Sequence, residues 1–215
     1  MNKVFIIGLP RTGTTSISVA LLQLGLKVAH TAYTKRAFEL ADAIADAPCF
    51  SDYAQLDKLF PGSRFVYLHR TPEIWAPSME RLLKKMLPQL NEKIGYLHPV
   101  LKRSLKQTFQ LDGCSNPLDE EHLINCYRAH QLSVMDYFSN RNDLLELDIS
   151  QAGSLRKLAD FLTLTRCDTI GGDVENDFPH FNIGKQVDGW KNFKHPNKIN
   201  ALSAGKEHKK FFDYQ

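Results

Sequence analysis

No stretch of this 215-residue chain approaches the roughly twenty consecutive apolar residues that a membrane-spanning helix needs. The early apolar run, Val4 to Leu9, is interrupted by Gly8 and followed at once by Pro10-Arg11, too short and wrongly flanked for a secretory leader. Cysteine is scarce. Cys49, Cys114, Cys126 and Cys167 include no CxxC pair, and Cys126 falls in an apolar helical pattern, which reads as buried thiols rather than zinc ligands or disulfides. Neither sign of charge is in surplus: 27 Lys and Arg against 24 Asp and Glu leave +3. That balance argues against a nucleic-acid coat or a polybasic membrane binder, while leaving room for a local basic pocket. Internal repeats and low-complexity tracts are missing too. These absences imply a cytoplasmic chain with no membrane and no nucleic-acid partner.

What is there suits a globular protein able to bury a core, with 43% hydrophobic and 24% charged residues. The length fits one domain spanning residues 1–215. Val4-Phe5-Ile6-Ile7 suits a strand buried on both faces of a parallel sheet. Ile17, Ala20, Leu21 and Leu24 then recur at helical spacing, with Gly25 as a stop. Lys27 to Ala29 reads as a second strand, Ala37 to Ala45 as a helix ending near Pro48, and Arg64 to Leu68 as a third strand after the turn Pro61-Gly62. Pro72 opens the next helix. Residues of about 79–140 are mainly helical, with a break at Asp112 to Pro117 and the last helix starting from Asn116-Pro117. Leu144 to Leu147 is a fourth strand and Ser154 to Leu162 a short helix, and the basic tail reads as helical. Strand and helix alternating without hairpin signals predict an α/β fold: three layers, α/β/α, around a central parallel sheet, with a mainly helical insertion. Ligands of such sheets bind beyond the carboxyl ends of the strands.

The first strand runs into Gly8-Leu9-Pro10-Arg11-Thr12-Gly13-Thr14-Thr15 and then a helix. This is the frame of a phosphate-binding loop, GxxxxGK[ST], in its strand–turn–helix context. Its amides and the helix N-terminus would cradle an anion. The lysine of that pattern is replaced by Thr14, and the nearest cation is Arg11. No apolar strand ending in aspartate is evident to hold magnesium, the third strand ending instead in His69-Arg70. ATP hydrolysis is poorly served by such a loop. A different anhydride is expected.

Pro10-Arg11-Thr12-Gly13-Thr14-Thr15 resembles the 5′-phosphosulfate loop of sulfotransferases that use 3′-phosphoadenosine 5′-phosphosulfate (PAPS), which reads PKSGTT in the cytosolic members. Arg11 in place of lysine keeps the charge and adds a planar, two-pronged donor. The family reads the 3′-phosphate with an arginine ending a strand and a serine eight positions on, and Arg70 and Ser78 have that spacing. Phe178 to Lys185 and Gly189-Trp190-Lys191-Asn192-Phe193 are partly similar to the family's C-terminal RKG…GDWKN element; there is no RKG, and Asp188-Gly189 stand in reversed order. Phe50-Ser51-Asp52-Tyr53, FPGSRFVYLHR and Trp75 also look like the branch labelled simply "sulfotransferase family".

The resemblance implies a P-loop-type sulfotransferase that moves a sulfuryl group from PAPS to a hydroxyl or amine by in-line transfer, with no metal required. Pro10, Arg11, Thr12, Gly13, Thr14, Thr15, Arg70, Ser78, Lys185, Trp190 and Lys191 are then the nucleotide contacts, and Arg11 also serves catalysis. Residues of about 178–193 would close over the nucleotide, and the 79–140 block would line the acceptor cleft. A strand beginning at Lys3 leaves no room for the anchor of Golgi-type members. The base is open between two residues. Matching outward from Arg70 brings Asp52 to the place of the histidine in the family's THLP segment, whereas His30, just after the second strand, titrates usefully without tuning. Trp190 could instead anchor its loop and Lys191 be merely solvated. The block carries Lys84, Lys85, Lys102, Arg103 and Lys106 with Tyr96, Phe109 and Tyr127, either as solvated helix faces or as a basic cleft for an acidic saccharide. The acceptor, a small molecule or a saccharide, is not specified further. Two other classes stay open: a non-catalytic PAPS-binding module, and an ATP-dependent P-loop kinase.

Overall fold

The computed structural model describes residues 2–91, 93–164, 178, 189–204 and 210–213. Among these residues five parallel strands form one sheet in the order β2-β3-β1-β4-β5: β1 (Val4–Ile6), β2 (Val28–Ala29), β3 (Ala43–Ala45), β4 (Arg64–Leu68) and β5 (Leu144–Leu147). The short β1 pairs with β3 on one side and β4 on the other, Phe5 lying opposite both Ile44 and Phe65. Its residues point alternately to two buried layers, which is why the run is apolar throughout.

On one face Ile6, Val66, Leu68 and Leu145 pack against Ile17 and Leu21 of α1 (Thr14–Gln23) and Leu155 and Leu158 of α7 (Ser154–Phe161). On the other, Phe5, Ile7, Phe65 and Tyr67 meet Phe38 of α2 (Lys35–Leu40), Tyr53 and Leu56 of α3 (Cys49–Leu59), and Val134 of α6 (Glu120–Tyr137). Two further helices, α4 (Pro72–Met86) and α5 (Pro99–Thr108), join α6 in a third cluster around Trp75, Phe109 and Tyr127. That cluster reaches back to Leu9 and Ala47, so the helical block is packed against the carboxyl edge of the sheet. The α/β/α architecture is therefore present.

Several local readings change. Ala37 to Ala45 is not one helix: α2 ends at Leu40 and β3 inserts between β2 and β1. Ala-Ile-Ala is too short to show a period, and helix-favouring alanine becomes strand because it is buried between two partners. An apolar strand ending in aspartate, Asp46, thus does exist. The last helix of the block starts later than Asn116-Pro117, with Asp119 as N-cap accepting the His122 amide at 3.0 Å. Among its described residues the tail forms turns and irregular chain rather than a helix; Asn197 to Ile199 pair with Val28 along the outer edge of β2. The basic residues of the block are mostly occupied. Lys102 is buried, donating to the Asn91 and Gly95 carbonyls at 2.7 and 2.9 Å, and Arg103 pairs with Asp52.

Candidate active site

Gly8 leaves β1 so close to β4 that a Cβ there would sit 2.5 Å from Leu68 Cβ and 2.8 Å from its backbone nitrogen. The chain then turns through Arg11 at φ 72° and Gly13 at φ 110° into α1. At Gly13 a side chain is doubly excluded, by the left-handed backbone and by overlap with Ile149 Cδ1. Thr12 is internal to the turn, its hydroxyl donating to the Leu9 carbonyl at 2.7 Å. The turn is also held from outside: buried Trp75 donates its indole N–H to the Pro10 carbonyl at 2.8 Å. The first amides of α1 have no partner within the helix and face the end of the loop, where the helix dipole favours an anion.

Cations gather at this end. Arg70, two residues beyond β4, donates through its guanidinium to the Arg11 carbonyl at 2.9 Å, and its amide donates to the Tyr127 hydroxyl at 3.0 Å. Arg11 Nε donates to Ser78 Oγ on α4 at 2.9 Å. The loop carrying Arg11 is therefore brought together with Arg70 and Ser78, Arg11 and Ser78 from 67 positions apart. Burial lowers the Arg11 pKa, the positive charges of Arg70 and Arg81 lower it further, and only Asp46 opposes them. At Arg11 the neighbouring positive charges outnumber the negative ones, an electrostatic setting that favours an anionic ligand.

His30, just past β2, lies on the same edge. Its Nε2 is 3.1 Å from Thr15 Oγ1, and its ring packs on Trp190 with centroids 5.4 Å apart. Desolvation pushes its pKa down against the pull of Asp46, with Lys198 adding to the fall, so the imidazole is neutral near pH 7. Asp46 follows β3 at φ 58°, its carboxylate accepting from the Ala47 amide at 2.8 Å and from Thr14 Oγ1 at 3.4 Å. Burial raises its pKa, opposed by His30, the Ala47 and Thr14 donors, and Arg11. Asp46 and His30 thus bring a carboxylate and an imidazole to the first turn of α1, through Thr14 and Thr15.

Asp52 lies elsewhere in the network. It is 1% exposed on α3, with Arg103 donating to its two oxygens at 2.9 and 2.6 Å and Ser51 Oγ at 2.7 Å. None of these bonds reaches the loop. Trp190 meets His30, while Lys191 is exposed. Lys185 lies outside the described residues. Asp46 and Arg81 escaped the sequence reading. A signal for Asp46 was available, since in Asp46-Ala47-Pro48 the acidic residue stands two before proline, as histidine does in THLP.

A parallel α/β/α fold with a glycine-framed loop feeding an arginine-rich helix N-terminus defines a protein that handles an anionic group at the carboxyl edge of its sheet. The chain matches the sulfotransferase domain family over residues 3–36 and 31–187, and it belongs to that family. It is accordingly a transferase of sulfuryl groups, in a family that generally takes them from PAPS. A search of curated proteins gives no match. No helix among the described residues is long and apolar enough to cross a membrane.

Proposed function

We propose that this chain binds PAPS and passes its sulfuryl group to a hydroxyl or amine of a small-molecule or saccharide acceptor. The observation that carries this reading is the convergence of Arg11, Arg70 and Ser78 on the Gly8–Thr15 loop. The donor set fits an anionic nucleotide, because loop amides, two guanidinium groups and the Ser78 hydroxyl stand together at one edge of the sheet. When bound, PAPS supplies a sulfuryl group already activated by its phosphate leaving group. Arg11 and the amides near Thr14 stabilise the negative charge that grows on the leaving side. Arg70 and Ser78 hold the 3′-phosphate by charge-assisted bonds and so fix the register of the nucleotide.

Asp46 is assigned the proton-accepting role in place of Asp52, whose carboxylate is taken up by Arg103. His30, held against Thr15 at the same edge, is the second candidate for taking up the proton. Direct binding separates this reading from its rivals. Thermal unfolding is followed with 3′-phosphoadenosine 5′-phosphate (PAP), with ATP and magnesium, and with neither. PAP at about 100 times its dissociation constant should add about 2.7 kcal/mol and a clear rise in Tm. A rise with ATP and magnesium alone would overturn the assignment. PAP binding without sulfation in any acceptor screen would leave a binding module.

A further inference from the structure

The C-terminal segment brings a cation, Lys198, to the flank of the site described above. Asn197 accepts from the Val28 amide at 3.0 Å and Ile199 donates to the Val28 carbonyl at 2.8 Å, which fixes Lys198 beside β2, two residues before His30. From there its Nζ reaches back to the carbonyls of Trp190 and, at 2.8 Å, Phe193. The same ammonium lies 4.5 Å from the centroid of the Trp190 ring. The indole packs in turn on His30, whose Nε2 meets Thr15 in the first turn of α1. No carboxylate pairs with Lys198 among the described residues. Its charge is spent on two carbonyl oxygens and an aromatic face, all belonging to the turn that carries Trp190.

We propose that Lys198 is the positioning residue of the candidate active site: it locks the 189–193 turn so that Trp190 covers His30. The lock rests on the proposed role of His30, yet it has readouts of its own. Trp190 excludes water from the imidazole, and the ammonium adds a like charge; both favour the neutral ring. The groups facing His30 are Thr15 from α1, Asp46 just after β3, Trp190, and Lys198 along the edge. Of the charged ones, Asp46 alone favours imidazolium. Without Lys198, the turn loosens, His30 becomes hydrated, and Asp46 pairs with a cation that weakens it as a base.

The test compares the unmodified chain with Lys198→Met by NMR, without nucleotide. In the unmodified protein, the Lys198 side-chain methylene protons should be shifted upfield by the Trp190 ring current. In Lys198→Met, the His30 titration midpoint should rise by about half a pH unit or more, and the acid limb of the sulfation pH profile should move up with it. An unchanged His30 midpoint in a folded variant would overturn the lock. If Lys198→Met fails to fold, the ring-current shift in the unmodified protein decides, and its absence overturns the proposal. Failure of PAP to bind the unmodified chain would sink the sulfation reading alone, because neither NMR readout involves nucleotide.

Discussion

Three acidic or imidazole side chains are close to the carboxyl edge in sequence terms, yet their environments assign them different work. Asp46 is raised in pKa by burial and sits against Thr14; His30 is lowered and sits against Thr15; Asp52 is clamped by Arg103. Substitution should separate them. Asp46→Asn is expected to lower turnover about 10²–10⁴-fold, the usual contribution of a positioned base, with little change in PAP affinity by calorimetry. His30→Ala should fall in the same sense. Asp52→Ala should instead leave turnover per folded molecule intact and cost about 1–3 kcal/mol of stability, since it removes charge-assisted bonds to Arg103 and Ser51. Denaturant midpoints measured beside steady-state rates distinguish the two patterns. A large loss of turnover in folded Asp52→Ala with a normal Asp46→Asn enzyme would return the base to Asp52.

The loop between β1 and α1 is a geometric element before it is a chemical one. Its two glycines serve different needs: Gly8 lets β1 and β4 approach, and Gly13 supplies a left-handed residue under Ile149. Gly13→Ala is therefore expected to displace the first turn of α1, with PAP-induced thermal stabilisation lost even if the fold survives. A normal PAP-induced Tm shift in that variant would show that the left-handed turn is dispensable. The same loop, with Arg70 and Ser78, was legible in the sequence because each part is a contiguous signature: an apolar strand, spaced glycines, an RTP turn with serine eight residues on. The helical block was less legible. Lys102 looks like part of a basic face until its ammonium is seen capping two carbonyls, and charge spacing along a helix cannot reveal that.

For the whole molecule, the face of the sheet carrying Phe5, Phe65 and Tyr67 is sealed in part by α6, which buries His130 against it. The ring stacks on Tyr67 with centroids 5.8 Å apart, Nε2 donates to the Phe50 carbonyl at 2.8 Å, and Nδ1 is buried without a partner. Burial, opposed by the bond to Phe50, pushes its pKa down to about 4. In the unfolded chain the same group titrates near 6.5. Protons therefore bind the unfolded state first. The contribution of this group to stability is fully present above pH about 6.5 and is lost as the pH falls toward 4, on the order of 3 kcal/mol across that window. Urea unfolding between pH 7 and 4 should show the decline, and His130→Gln should flatten it. An equally steep decline in the variant would place the acid sensitivity elsewhere.

By itself the sequence determined the class of fold and the glycine-framed turn between the first strand and its helix, because these depend on local patterns that the backbone must obey wherever the chain goes. Only the tertiary structure decided that Ala43–Ala45 is a strand, that Asp46 rather than Asp52 faces the loop, and that Lys198 reaches Trp190. Parallel strands find their partners across long stretches of intervening chain, so a three-residue strand such as β3 acquires its identity from neighbours and not from its own composition. Whether a carboxylate is a base or half of an ion pair is likewise a matter of which cation the fold brings to it.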